Sequence, residues 1–167
     1  MNLYIVRHAI AVQREASDYE DDSQRPLTDP GRKKMKKIVT GFHQLGVELD
    51  TILSSPYVRA RDTAKILASE FKMKNKVAFS DNLIPPGNFE SLIDEINEKY
   101  NVNNLALVGH EPMLSSLISW LTTGNTDMKV TLKKGGVCYL AADNLQQERR
   151  ATLEWLLTPA LMVELAK

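Results

Sequence analysis

Apolar and polar residues follow two different periods along this chain. Leu3, Tyr4, Ile5 and Val6 form an unbroken run of β-branched, aromatic and aliphatic side chains, the pattern of a buried strand. The polar stretch AVQREASDYEDDSQRPLTDPG follows with no sustained apolar period and reads as a loop. Met35, Ile38, Val39, Phe42 and Leu45 then recur at helical spacing. Thr28 or Asp29 can cap that helix, Pro30 suits its first turn, and Gly46 ends it. TILSS, residues 51–55, predicts a second strand, and Pro56 opens a helix through Ala64, Leu67, Ala68 and Phe71. A short strand around 77–79, a turn at IPPGN and a helix carrying Leu92, Ile93 and Ile96 come next. NLALVGH has the composition of a fully buried strand, and Glu111 and Pro112 begin a helix ending near Gly124. Beyond Val130, VTLKKGGVCYLAAD predicts a strand, a glycine turn and a strand; ATLEWLLT predicts another strand and PALMVELAK a terminal helix. Strands alternating with helices predict an α/β fold, with a mostly parallel central sheet flanked by helices on both faces and an antiparallel strand at one edge.

Length and charge narrow the picture. The 167 residues suit a single domain, 1–167, with a substantial core. Lysine plus arginine equals aspartate plus glutamate, 21 against 21, so no net field recruits nucleic acid or an anionic membrane. No apolar run approaches the roughly 18 residues of a membrane span, and no basic segment precedes an apolar leader. Cys138 is the sole cysteine, which excludes an intramolecular disulfide and a thiolate metal cluster and fits a reducing compartment. A soluble cytoplasmic protein is expected.

The reactive residues sit where strands end. Arg7-His8 follows the first strand, Ser55-Pro56-Tyr57-Val58-Arg59 the second, and Gly109-His110-Glu111-Pro112 the strand LALV. In an open α/β sheet these junctions lie on one edge, where ligands bind. Helices starting there present free N–H groups and a positive dipole end to an anion. Two histidines and at least two arginines on such an edge suit a phosphoryl group, whose equatorial oxygens must be stabilised during transfer. A neutral imidazole is a competent nucleophile near pH 7.

LYIVRHAIA, QRPLTDPG, SSPYVRARDTA and LVGHEP stand in the order and spacing of the histidine phosphatase superfamily, and the chain resembles its SixA-type phosphohistidine phosphatase branch from Leu3 to about Pro112. The resemblance implies a phosphoglycerate mutase-like fold and no cofactor or metal. It implies that His8 is the nucleophile that becomes phosphorylated, that Arg7 and Arg59 clamp the phosphate, and that His110 is a second pocket histidine. Arg25, in QRPLT, matches a further pocket arginine, and Asp29-Pro30-Gly31 the turn that opens the first helix. The implied partner is a phosphorylated histidine on another protein, such as a phosphotransfer domain, or a small phosphorylated molecule.

Two positions depart from the family pattern. Ala9 stands where glycine often follows the arginine-histidine pair. Asn82 occupies the best match to a carboxylic general acid, with Asp81 beside it. An alkoxide leaving group normally needs such an acid, worth roughly 10²- to 10⁴-fold in rate, whereas an imidazole is a far less basic leaving group. The segment from Lys72 to Gly87 is also too short for a helical cap over a small metabolite. Phosphohistidine is therefore the favoured substrate. A general phosphomonoesterase using Asp81 or a carboxylate of the 15–22 loop, and a non-catalytic binder of a phosphorylated partner, are the alternatives.

Other polar features have plainer readings. Arg61 is turned by about 200° from Arg59 on their helix and reads as a surface charge; His43 reads as a surface or boundary residue. RKKMKK, residues 32–37, reads as a solvated helix face, and DYEDD, residues 18–22, as loop solvation that could otherwise disfavour acidic substrates or meet a basic surface. HEPML lacks the second histidine of a zinc motif, and Cys138 has Asn144 rather than arginine six residues on, so it reads as core.

Overall fold

The computed structural model describes residues 1–15, 19–143, 145 and 151–167. In chain order the main elements are β1 (Asn2–Arg7), α1 (Asp29–Gln44), β2 (Thr51–Ser54), α2 (Val58–Glu70), β3 (Val77–Phe79), α3 (Phe89–Lys99), β4 (Asn104–Gly109), α4 (Met113–Thr123), β5 (Val137–Ala141), β6 (Thr152–Leu157) and α5 (Pro159–Leu165). The six strands form one sheet in the order β3-β2-β4-β1-β5-β6. The β1, β2, β3 and β4 pairings are parallel, and β5 runs antiparallel to both β1 and β6. This is the expected α/β architecture, a mostly parallel sheet with an antiparallel addition on one side.

The unbroken apolar runs are explained by burial on both faces. Tyr4, Val6, Ala106 and Val108 pack against Met35, Ile38 and Phe42 of α1, Leu67 of α2 and Met162 of α5. Their neighbours Leu3, Ile5, Leu105 and Leu107 point the other way, onto Leu92 and Ile96 of α3 and Leu114, Leu117 and Ile118 of α4. Successive strand residues face opposite sides, so a strand covered by helices on both sides must be apolar throughout. Each such side chain contributes roughly 1.5–3 kcal/mol on leaving water.

Helix starts follow the sequence signals to within two residues. Thr28 caps α1, its Oγ1 accepting the Gly31 N–H at 3.1 Å, with Pro30 in the first turn. A methyl group on Gly31 would sit 2.2 Å from the Ile10 carbonyl oxygen, so only glycine lets this helix start press against the chain leaving β1. The strand expected over 130–133 is not formed. Both edges of β5 are already taken, by β1 and β6, so this segment cannot pair with it as a hairpin. Instead it buries Leu132 in the core and sends that residue's carbonyl to Arg7.

Parallel pairing brings three strand ends level. Arg7 lies opposite Gly109, and Ser54 opposite Val108. His8, Ser55 and His110 therefore leave the sheet side by side.

Candidate active site

His8 is held from three directions. Its N–H donates to the Gly109 carbonyl at 3.0 Å, and its carbonyl accepts the Gly135 N–H at 3.1 Å. Its ring Nδ1 lies 2.7 Å from the Ala9 carbonyl oxygen. A carbonyl can only accept, so Nδ1 carries the proton and Nε2 keeps its lone pair. The Ala9 N–H in turn donates to Thr63 Oγ1 at 3.0 Å, and that hydroxyl donates to the Arg59 carbonyl at 2.7 Å. Thr63 thus ties the His8 turn to the first turn of α2. Burial, with smaller contributions from the Arg59, Arg7 and Lys134 charges, pushes the His8 pKa down to about 3 against the opposing Ala9 bond. The ring is neutral at physiological pH.

The His110 ring centroid lies 5.1 Å from that of His8. Its Nε2 is 2.9 Å from Ser55 Oγ, while its Nδ1 is buried without a partner among the described residues. Burial, then the neighbouring His8 and Arg59, push its pKa down to about 2. Tyr57 packs edge-on against this ring at 5.3 Å, and the Arg59 guanidinium lies 5.1 Å from the Tyr57 ring centroid.

Arg59 is 4% exposed. Its Nη1 donates to the Asp22 carbonyl at 2.7 Å and its Nη2 to Asp22 Oδ2 at 2.9 Å. Asp22 Oδ1 accepts from Arg25 Nε at 2.8 Å, and Arg25 Nη1 reaches the Val12 carbonyl at 2.6 Å. Arg7 donates through Nη1 to the Leu132 carbonyl at 2.9 Å. Burial lowers the pKa of Arg7 and Arg59, opposed by Glu111 and Asp22 respectively, but a guanidinium stays charged regardless. The Nε atoms of Arg7 and Arg59 are buried with no partner among the described residues. A buried donor left unpaired costs roughly 1–3 kcal/mol. Two guanidinium donors and a ring nitrogen without partners suit a bound anion with several acceptor oxygens, such as a phosphoryl group.

All five residues singled out from the sequence lie at this sheet edge or on the loop folded over it. His8, His110 and Arg59 come together around Tyr57, the Arg7 charge acts on His8, and Arg25 joins Arg59 through Asp22. Three further residues were not foreseen in these roles: Asp22, Thr63 and Lys134. Thr63 stands four residues after Arg59, on the same helix face, and Asp22 three before Arg25; these spacings are the signals that could have exposed them.

Neither Asp22 nor position 82 holds a free acid proton. Burial alone would raise the Asp22 carboxyl, but Arg59 and Arg25 outweigh it and hold it below the usual range. Asn82 gives its amide N–H to Glu95 Oε2 at 2.9 Å, and Asp81 is exposed in the same 3-10 turn. Of the acidic segment 18–22, Asp18 lies outside the described residues, as do 16 and 17 of the 15–22 loop.

The plainer readings stand. His43 is exposed, stacked at 4.5 Å on Phe71. Arg61, 39% exposed in its side chain, lies 3.6 Å from Asp62. Burial pushes the Cys138 thiol up to about 12. No helix among the described residues is long and apolar enough to cross a membrane.

A parallel sheet with paired histidines and arginines at the carboxyl ends of its strands defines an α/β protein with a cationic cluster suited to an anion. The model of the histidine phosphatase superfamily (branch 1) matches residues 3–84. An uncharacterized protein of Picosynechococcus sp. is 36% identical over 139 residues, 82% of each chain. The phosphohistidine phosphatase SixA homolog of Haemophilus influenzae is 30% identical over 130 residues, 72% of this chain and 77% of that one. Among solved structures, the protein histidine phosphatase SixA complexed with tungstate superimposes with a TM-score of 0.82 at 22% identity, over 97% of this chain and 99% of the other. The alpha-ribazole phosphatase of Shigella flexneri gives 0.75 at 19% identity, over 95% and 97%. The chain belongs to the histidine phosphatase superfamily, in its SixA-type branch.

Proposed function

We propose that this protein is a cytoplasmic phosphatase that hydrolyses phosphohistidine on a partner protein through a covalent phospho-His8 intermediate. The observation that carries the reading is the Nδ1–H bond from His8 to the Ala9 carbonyl, which leaves Nε2 with a free lone pair beside partnerless cationic donors. In the first step that lone pair attacks phosphorus, the substrate's P–N bond breaks, and the imidazole leaves neutral when its second nitrogen carries a proton. In the second step water attacks phosphorus, the P–Nε2 bond breaks, and inorganic phosphate is released with His8 regenerated. Arg7, Arg25, Arg59 and His110 hold the phosphoryl oxygens as charge shifts across them.

Neither Asp22 nor position 82 offers a usable acid, which supports the substrate class. Among the described residues, Asp22 is held ionised and the Asn82 amide is committed to Glu95. Exchange between two imidazoles needs no strong proton donor, because the bond broken and the bond formed are of one kind. The likeness to an alpha-ribazole phosphatase keeps a phosphomonoesterase as the second reading, with Asp81 as its acid.

The deciding experiment is turnover on a substrate panel. A phosphohistidine-bearing protein should be cleaved at least tenfold more efficiently than p-nitrophenyl phosphate or a sugar phosphate, with acid-labile, base-stable phosphate trapped on His8. Preference for the esters, or a fall on Asp81→Asn with alkyl phosphates, would move the assignment to the second reading. Failure to label His8 while the protein still binds phosphate would make it a binder.

A further inference from the structure

Asp22 forms an outer layer over the arginines. Its side chain is 28% exposed while that of Arg59 beneath it is 5% exposed. It uses its carbonyl and both carboxylate oxygens on Arg59 and Arg25. Glu20 and Asp21, next in the chain, are exposed, so the loop presents negative charge outward and is anchored by positive charge inward. The charged groups acting on the two histidines are Arg7, Arg25, Arg59, Lys134 and Asp22, with Glu111 acting on Arg7. Four cations against two carboxylates leave a surplus of two, which a phosphoryl group carrying about −1.5 to −2 neutralises.

An acidic group on the carrier, close to the phosphoryl, therefore finds no cation left and meets the Asp22 carboxylate. We infer that Asp22 determines specificity by rejecting carriers with an anionic group beside the phosphoryl, so that the substrate presents it on a neutral or basic surface. This rests on the phosphate pocket proposed above, and not on whether the bond cleaved is P–N or P–O.

The test is a binding measurement, made with His8→Ala so that nothing is consumed. Phenyl phosphate and 3-carboxyphenyl phosphate share the phosphoryl group and differ by one carboxylate on the same ring. Calorimetric titration should show phenyl phosphate binding tighter by about fivefold or more at low salt, the gap shrinking as salt screens it. Adding Asp22→Asn should bring the two ligands within about twofold of each other, and Asp22→Glu should restore the gap. That rescue separates charge from a merely structural role, since the ratio is read whatever happens to absolute affinity. Equal binding with Asp22 present, or a gap that survives Asp22→Asn, overturns the inference. Binding of neither ligand refutes the phosphate pocket, and the inference with it.

Discussion

Thr63→Val replaces a fully buried hydroxyl by a methyl of nearly equal size, so its effects come from hydrogen bonding alone. The hydroxyl accepts the Ala9 N–H at 3.0 Å and donates to the Arg59 carbonyl at 2.7 Å. The second bond is a side chain reaching back one helical turn, whose loss costs little. The first is the one that matters, because Ala9 is 3% exposed and its N–H would be stranded. An orphaned buried donor costs roughly 1–3 kcal/mol, and valine's greater apolarity offsets part of that. The net expectation is a loss of about 1–3 kcal/mol, read in urea denaturation as a lower midpoint at unchanged slope. The same peptide unit steadies the Ala9 carbonyl that orients His8, so turnover should fall about tenfold or more under conditions where the variant is fully folded. Thr63→Ser keeps the hydroxyl and should recover most of both losses. Stability within about 0.3 kcal/mol of the parent for Thr63→Val, or a serine variant as impaired as the valine one, would refute the reasoning.

Histidine burial sets the acid limit: both folded pKa values, about 3 and about 2, lie below the ordinary value near 6.5. The unfolded chain then binds more protons between those limits, and stability should be full above pH 6.5 and fall by up to about 1.4 kcal/mol per pH unit per histidine on acidification. Denaturation curves from pH 7 to 5 check this, and His8→Ala should reduce the slope. Arg59→Lys keeps the charge but cannot span the Asp22 carbonyl and carboxylate together; kcat/KM should drop roughly 10- to 100-fold, with phosphate inhibition weakened in parallel. Gly31→Ala places a methyl 2.2 Å from the Ile10 carbonyl oxygen and should lower the thermal midpoint through about 1–3 kcal/mol of overpacking.

What could be read from the sequence follows from how local each signal is. The apolar runs of β1 and β4 and the helical spacing of α1 are written within a few residues, so their positions came out correctly. His8, Arg59 and His110 were legible because each follows a strand, and parallel strands end on one edge. The strand expected over 130–133 failed because its apolar pattern is real but serves the core, and whether a ladder is free is decided by β1 and β6 far away in the chain. Asp22 reads as loop solvation because only its spacing to Arg25 sets it apart from its acidic neighbours, and its partner Arg59 lies 37 residues on. Ser55 met His110 across 55 residues for the same reason.

The bonds from Gly135 N–H to the Arg7 and His8 carbonyls stitch the end of β1 to a turn made late in the chain. A ribosome must therefore have released most of the polypeptide before His8 acquires this backing, and a nascent or truncated fragment ending before that turn lacks it.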